Sequence, residues 1–476
     1  MSAKFYEKFE KKAKSKDNKK DKRKKNNSIA LPAVNNNDVK DNKPAPAKKE
    51  CKHALWEYDK TATLFNKDRL SEETDYILQH FDEIVQGVRP LNSKQLQLLP
   101  DNIKELSHQL TDKRSERRLG YMNNTVQLSS YVRYYTWWNL VRLTRLFSNL
   151  PSSSFPRTDC VCIDLGTGPL TVITALWLAR PELRKLKLTW YCLDVSSNSM
   201  VLGEDIYMSI AARTMDNDRA CDPWNIIRVK GSFGTAIKQK ADFITCANMF
   251  NELDQAGDMP PEYQSKKYFQ QLKAYGTESC KYLLVEPGVP KATRTLTLLR
   301  ERFISAGKAI AAPCPHNISC PMNGFKAYTG SIHKWCNFCF STEDAPAKLL
   351  RLSEQAKLPK ERATLIFISA INNNKKETLP ESNKKPLMCR ITSDPFRLPD
   401  YKVGYYGCSE LGLTLIKTKG TINRNPKCKQ NGVISNEKAF IIKGPFTSGD
   451  LIKVNVSQDF SLLETDEKSG AAIIEL

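Results

Sequence analysis

"CVCIDLGTGPLTVITALWLA", residues 160–179, decides the fold: an apolar strand carries Asp164, a Gly166-Thr167-Gly168 turn follows, and an apolar helical run begins directly after it. The glycines let backbone come close to a ligand, and the start of the helix offers N–H groups with no partner inside the helix. A second apolar run, "LTWYCLDV" (188–195), ends in Asp194. A carboxylate at the end of that strand can accept from two ribose hydroxyls. Strand, glycine turn, helix, strand and acid together point to a nucleotide-like cofactor, with a tight turn that holds no ligand as the plainer alternative. The turn reads G-T-G-P-L-T, so Thr171 stands where the dinucleotide fingerprint wants its third glycine. S-adenosylmethionine is the better candidate, although Leu170 occupies the glycine position of the D-x-G-x-G-x-G form of that fold.

Downstream, "IIRVKGSF" (226–233), "ADFITCANMF" (241–250) and "KYLLVEPGVP" (281–290) alternate with helical stretches, the rhythm of a parallel sheet with helices on both faces. The expected class is α/β: a doubly wound, Rossmann-like methyltransferase sheet with an N-terminal helical unit and a small C-terminal β-rich unit. The helical unit is read from Ser71 ahead of Glu72, Glu73 and apolar residues at three- and four-residue steps. Its last helix, "LSSYVRYYTWWNLVRLTRLFSNL" (128–150), mixes Tyr and Trp with Arg133, Arg142 and Arg145. Such a mixture can stack on RNA bases, but at helical spacing it also fits a core face with a solvated one behind it. "ATLIFISAI" (363–371) is read as a return to the main sheet, and the short runs after it as the β-rich unit. The boundaries expected are a disordered basic arm over 1–50, a helical unit over 51–155, a methyltransferase-like domain over 156–375 with an inserted cysteine segment at 311–342, and a β-rich unit and tail over 376–476.

At the carboxyl edge of such a sheet, where open α/β folds bind ligands, "DFITCANMFNELD" places Asn248, Asn251 and Glu252, and another strand ends in Glu286-Pro287-Gly288. A polar strand end also serves as a plain helix cap, so Asn248 and Glu252 keep that second reading. No Ser-His-Asp set, lone nucleophilic cysteine or paired carboxylates point to hydrolysis.

The formal net charge is +21; residues 1–50 hold 16 Lys or Arg against 7 Asp or Glu, so the remainder still carries +12. A surface this basic favours a polyanion, RNA before DNA, although a solubilising charge excess is the bland account. No uncharged apolar run approaches the roughly 18 residues that cross a bilayer, so no membrane partner is expected. The first residues lack a secretory apolar core and fit an acid-poor transit peptide badly, which makes the cytoplasm the first compartment and the mitochondrial matrix the alternative.

Fourteen cysteines in a reduced compartment point to metal or catalysis rather than disulfides. Cys160, Cys162, Cys192 and Cys246 lie in apolar strands and read as small buried hydrophobes. "PCPHNISCPMNGFKAYTGSIHKWCNFCF" (313–340) is different: Cys314, Cys320, Cys336 and Cys339 crowd a proline-rich loop. Four thiolates can close a tetrahedral zinc site or hold an iron-sulfur cube. His316 and His333 stand beside them as shell or surface residues.

The ordered motifs "DLGTGP", "LDVSSNSMVLG", "ANMFNEL", "LLVEPG", "PCPH", "CP" and "WCNF" resemble the methyltransferase-like family associated with assembly of the small ribosomal subunit, which has mitochondrial and bacterial members. The resemblance covers roughly residues 120–415. It implies an S-adenosylmethionine-type fold with a 4Fe-4S cluster, bound to small-subunit rRNA and proteins. In such a fold the residues read above take the cofactor-site roles: Asp164 with the Gly166–Gly168 turn at the methionine end, Asp194 at the ribose, and Asn248 to Glu252 facing the target. By position the resemblance implies Cys314, Cys320 and Cys336 as three cluster ligands, with the fourth in "VGYYGCSELG" at Cys408. Local spacing keeps Cys339 as the alternative fourth ligand. Three functions remain open at this level: an rRNA-binding assembly or translation factor, an active rRNA methyltransferase, and a zinc-binding interaction protein with a vestigial α/β domain.

Overall fold

Strand order carries the architecture. The structure, a computed structural model, describes residues 56–111, 121–214, 222–253, 259–325, 334–373, 386–424, 440–455 and 463–476. The basic arm expected over 1–50, and His333, lie outside the described residues. In the larger sheet the strands run Asn225–Lys230, Leu188–Asp194, Cys160–Leu165, Ala241–Ala247, Gly276–Glu286, Arg362–Asn372 and Lys308–Ala312, with Phe338–Ser341 paired onto Arg362–Asn372. The first five are mutually parallel and Arg362–Asn372 is antiparallel to its neighbours. This is the doubly wound methyltransferase sheet, and "ATLIFISAI" does return to it, as its only reversed member on that path.

The central strands read as unbroken apolar runs because both sheet faces are covered. Helix Thr171–Ala179 is buried at every position but its last. A helix apolar all round must be sandwiched, and the layer over it is the helix Trp137–Asn149, itself almost wholly buried. The aromatic helix is therefore core: Trp137 Nε1 donates to Leu78 O (2.8 Å), Trp138 Nε1 to Ser353 Oγ (3.2 Å), and Tyr134 Oη to Leu358 O (3.2 Å). Its arginines are occupied too, Arg133 by Gln86 and Arg89, Arg145 by Asp344. One apolar core runs without a break from Leu64 through Trp137, Ile163 and Leu284 to Ala471. The helical segment is a layer of the main fold and shares its core.

The strand order reverses between Cys160–Leu165 and Ala241–Ala247. Loops leaving two such strands diverge to opposite faces and leave a crevice beyond their carboxyl ends. A second sheet has the order Glu57–Ala62, Leu451–Asn455, Leu387–Ile391, Val403–Ser409, Gly412–Thr418, Ala472–Glu475, with a small core of its own around Leu387, Tyr405 and Ile452. Its edge strand Glu57–Ala62 falls inside the stretch expected to be helical. That segment is exposed along its whole length and is held by backbone pairing to Leu451–Asn455, by the Tyr58 ring against Phe446 and by Lys60 on Asp450.

Candidate cofactor cleft and cysteine centre

The crevice is built from the glycine turn. Gly166, Gly168 and Leu170 all take positive φ, at 66°, 49° and 52°, so the chain folds back three times in five residues before the helix starts. Gly166 N and Thr167 N donate to Leu193 O at 2.9 and 3.1 Å. Gly168 N donates to Asp194 Oδ2 (2.9 Å) and Ser196 N to Asp194 Oδ1 (2.8 Å). The Asp194 carboxylate thus uses an oxygen on each side to pin the turn to the next loop; burial raises its pKa and these N–H groups oppose the rise. At Gly166 a Cβ would come within 2.9 Å of Met249 Cβ, so only glycine allows this approach.

The facing wall is the end of Ala241–Ala247. Asn248 adopts a φ of 61° and donates its N–H to Val285 O (2.9 Å). Its Oδ1 accepts from Arg142 Nη2 at 2.9 Å. The same guanidinium donates to Asn139 Oδ1 (2.9 Å) and Thr364 O (3.0 Å), tying the helical layer to two strand ends. Glu286 is fully buried and accepts from Phe250 N (2.9 Å) and Asn251 N (3.1 Å). Burial pushes its carboxyl up to about 8 against those two bonds. Asp164 is also fully buried, takes a bond from Thr245 Oγ1 (2.6 Å), and has its pKa pushed up to about 7 by burial.

A cavity of about 110 Å³ remains between the two walls, lined by Gly166, Gly168, Asp194, Asn248 and Glu252 among others. Asp164 does not line it and acts behind the turn. The volume is small against the roughly 300–1,000 Å³ of small-molecule sites; Met122 and Met249, both flexible side chains, close in on it. Leu170 points into the core, fully buried, and does not line the cavity either.

The cysteine centre lies beyond the strand Lys308–Ala312. Cys314 and Cys320 come from the proline-rich loop, and Cys336 is held by its N–H on Met322 O (2.7 Å). Cys408 sits on Val403–Ser409, opposite Arg390. The four share one electrostatic environment. Burial first, then Cys314, pushes Cys320 up to about 12. Cys336 is raised well above the usual thiol range by burial and then by Cys320 and Cys314, and Cys408 by burial and then by Cys314 and Cys336. Cys339 lies apart, its sulfur 2.6 Å from Arg362 Nη2. Two buried guanidiniums face the four thiols. Arg300 donates from Nε to Cys314 Sγ (3.1 Å) and from Nη1 to Ile318 O (2.9 Å); Arg390 donates from Nε to Pro313 O (2.9 Å) and from Nη1 to Gly449 O (2.8 Å). Neither makes an ion pair with a carboxylate among the described residues, so the chemistry of the donor set suits a thiolate-bound group of net negative charge. No three His, Cys, Asp or Glu side chains among the described residues stand close enough to hold a single metal ion. His316 is buried beside Arg300, and burial and that charge push its pKa down to about 4.

Sequence reasoning missed Arg142, Arg300 and Arg390 as site residues. Arg300 carried a signal: Thr293, Leu296, Arg300 and Phe303 recur at helical steps, so the arginine falls on the apolar stripe of Pro290–Ser305. Arg142 had none beyond its helix, since its cleft partner Asn248 lies 106 residues away and Thr364 lies 222 away.

The family model for the mitochondrial small ribosomal subunit protein Rsm22 matches residues 155–396, which include the glycine turn, Asp194, Asn248 and Glu252 of the cleft, and three of the four clustered cysteines. The chain belongs to this family. None of the curated proteins compared matches it. Among solved structures, an S-adenosylmethionine-dependent methyltransferase from Geobacter sulfurreducens with S-adenosyl-L-homocysteine is 10% identical over 49% of this chain and 90% of that one, at a TM-score of 0.28. A putative RNA methyltransferase from Pyrococcus horikoshii is 12% identical over 50% of this chain and 83% of that one, at a TM-score of 0.26. At such scores the likeness carries no argument, and the fold rests on the chain's own strand order.

Proposed function

We propose that this chain is an RNA-binding factor of the mitochondrial small ribosomal subunit, acting in its assembly or translation. The observation that carries the reading is membership of a small-ribosomal-subunit family by a chain of net charge +21. Each phosphate contact made by such a surface releases counterions, which favours binding to rRNA. The role implies the mitochondrial matrix as its compartment; no helix among the described residues is long and apolar enough to cross a membrane.

The cleft takes S-adenosylmethionine, with Gly166 and Gly168 against the ligand, Asp194 toward the ribose and Asn248 and Glu252 on the far wall. Arg142 fixes the Asn248 side chain on that wall through one of the two acceptor positions of its oxygen. Cys314, Cys320, Cys336 and Cys408 hold a 4Fe-4S cluster, with Arg300 and Arg390 balancing its charge. When bound, the cluster supplies a cross-link between the methyltransferase-like sheet and the β-rich sheet. A cube of iron and sulfide separates its thiolates more widely than one zinc ion with Zn–S bonds of about 2.3 Å, so zinc is the competing occupant that metal analysis separates.

Anaerobic purification with iron, sulfide and zinc analysis tests the centre: the expected result is iron with sulfide, lost in Cys408→Ser and retained in Cys339→Ser. Zinc alone, lost in Cys339→Ser, would overturn it. Co-sedimentation with small-subunit rRNA across a salt series tests the role, and binding that ignores salt would refute it. Labelled methyl transfer to that rRNA would move the reading to an active methyltransferase.

A further inference from the structure

A second cavity, of about 540 Å³, opens where the two sheets meet. Trp335 lines it from the cysteine loop and Tyr406 from the β-rich sheet, together with Asn337 and with Lys334, Arg362 and Lys468 beside the single carboxylate of Asp394. Thr364, also in its wall, lies beyond the carboxyl end of Gly276–Glu286, because Arg362–Asn372 runs antiparallel to that strand with Ile366 opposite Glu286. The cavity therefore opens on the same sheet edge as the cofactor cleft. One side chain joins the two: Arg142 donates to Thr364 O in this wall and to Asn248 Oδ1 in the other.

The fittings of the cavity are those of an unpaired nucleotide. Aromatic faces take a base by stacking whatever its identity, an amide reads a base edge, and ammonium groups take the phosphate. Its volume falls within the roughly 300–1,000 Å³ of sites that enclose small molecules and single residues. The walls are already fixed: Tyr406 stacks on Phe396 with centroids 4.9 Å apart, Trp335 Nε1 donates to Gly288 O (3.1 Å), and Arg362 is held by Asp394 and Cys339. Lys334 Nζ reaches Ser469 O at 2.5 Å, which brings the C-terminal segment and Lys468 to the rim.

We propose that this junction cavity receives one unpaired RNA nucleotide, its base against Trp335 and Tyr406 and its phosphate toward Lys334 and Lys468. The inference rests on the RNA-binding reading above and gives it a contact point. Arg142 stands between the bound nucleotide and the cofactor cleft, so the nucleotide is held beside the cofactor and kept from it.

The test uses the full chain and a short single-stranded RNA carrying 5-iodouridine, with anisotropy at several salt concentrations and photo-crosslinking mapped by mass spectrometry. Crosslinks in the peptides around Trp335 or Tyr406 are expected. Trp335→Leu should weaken binding about 5- to 150-fold, the range for loss of one stacked base. Lys468→Glu, on an exposed residue that does not line the cofactor cleft, should lower the slope of log affinity against log salt by about 1; it keeps the test decisive if Trp335→Leu fails to fold. Wild-type chain that binds no RNA at any salt would sink the RNA reading itself. Wild-type binding that is unchanged in Lys468→Glu, with crosslinks mapping elsewhere, would sink the cavity alone. Displacement of the RNA by polyglutamate as readily as by unlabelled RNA would also overturn it, in favour of an acidic peptide.

Discussion

Replacing Leu170 separates two effects that pull in opposite directions. Leu170 caps the helix Thr171–Ala179 with φ 52° and ψ 34°, and its side chain is fully buried. Truncation removes that burial, at a cost of about 2–5 kcal/mol for a leucine side chain in a core. Leu170→Ala keeps a Cβ in the left-handed region and so keeps a strain of about 1–2 kcal/mol, whereas Leu170→Gly relieves it. The glycine gives back about 0.4–1 kcal/mol through the entropy of the unfolded chain. Both variants are therefore less stable than wild type, with Leu170→Gly the more stable of the two by about 0.5–1.5 kcal/mol. That order reverses the helix-interior rule, in which alanine beats glycine. Urea unfolding followed by fluorescence reads the difference. Alanine equal to or better than glycine would show that residue 170 is not left-handed, and the account of the turn would fall with it.

Three further outcomes follow from the same geometry. Glu286 has its folded pKa raised from 4.5 to about 8; its contribution to stability is fully present below the unfolded value and is lost as pH rises through the folded one, by up to a few kcal/mol. Glu286→Gln should flatten the fall in urea midpoint between about pH 5 and pH 9, and an unchanged slope would show that Glu286 is not the group responsible. Arg142→Met should lower unfolding free energy by about 1.5–3 kcal/mol, the range for hydrogen bonds to a charged group; no loss would mean that the Asn139, Asn248 and Thr364 contacts are not made in solution. Arg300→Met should reduce the iron retained on anaerobic purification while Arg302→Met, on the same helix but bonded to Ser265 and Glu262, should not; equal retention would remove the charge-balancing role.

Much of the sheet was legible because its strands are buried on both faces and read as continuous apolar runs broken by glycine and asparagine. The strand Glu57–Ala62 was not, since it is polar, wholly exposed and paired with residues almost 400 positions away, from Glu57 to Asn455. No local pattern encodes such a partner. Asp194 illustrates a different limit. An acid at the end of that strand reads the same whether it awaits a ribose or pins a turn, and only the bonds from Gly168 and Ser196 show that it already does the second. The aromatic helix 128–150 was ambiguous for the same reason, and burial decided it for the core. Cys314, Cys320 and Cys336 stood out as a cluster, whereas Cys408, 72 residues after Cys336, came from the ordered motifs and not from spacing. The two arginines that face these cysteines lie on Pro290–Ser305 and Leu387–Ile391, and no local spacing ties either segment to the cysteines.

The arrangement of charge explains why the β-rich sheet, which has a core of its own, is fixed to the main one. Few of its apolar residues reach the main core, Leu413, Leu415 and Ala471 among them. The fastening is largely polar: Arg390 Nε on Pro313 O, Cys339 N on Ser448 Oγ (3.2 Å), Arg362 on Asp394, and Lys334 on Ser469. Interfaces of this kind between units of one chain are usually free to move. Here two guanidiniums are buried at the seam, Arg300 at 1% exposure and Arg390 at 6%. A buried cation without an adjacent counter-charge costs several kcal/mol; Arg390 has the buried Asp450 carboxylate acting on it at longer range, and Arg300 has the thiol of Cys314. An anionic group held by the four cysteines would lower that cost only while the two units stay together, since Cys408 and Arg390 lie on the β-rich sheet and Cys314, Cys320, Cys336 and Arg300 on the main fold. The same closure forms the junction cavity, whose two aromatic walls come one from each side of the seam.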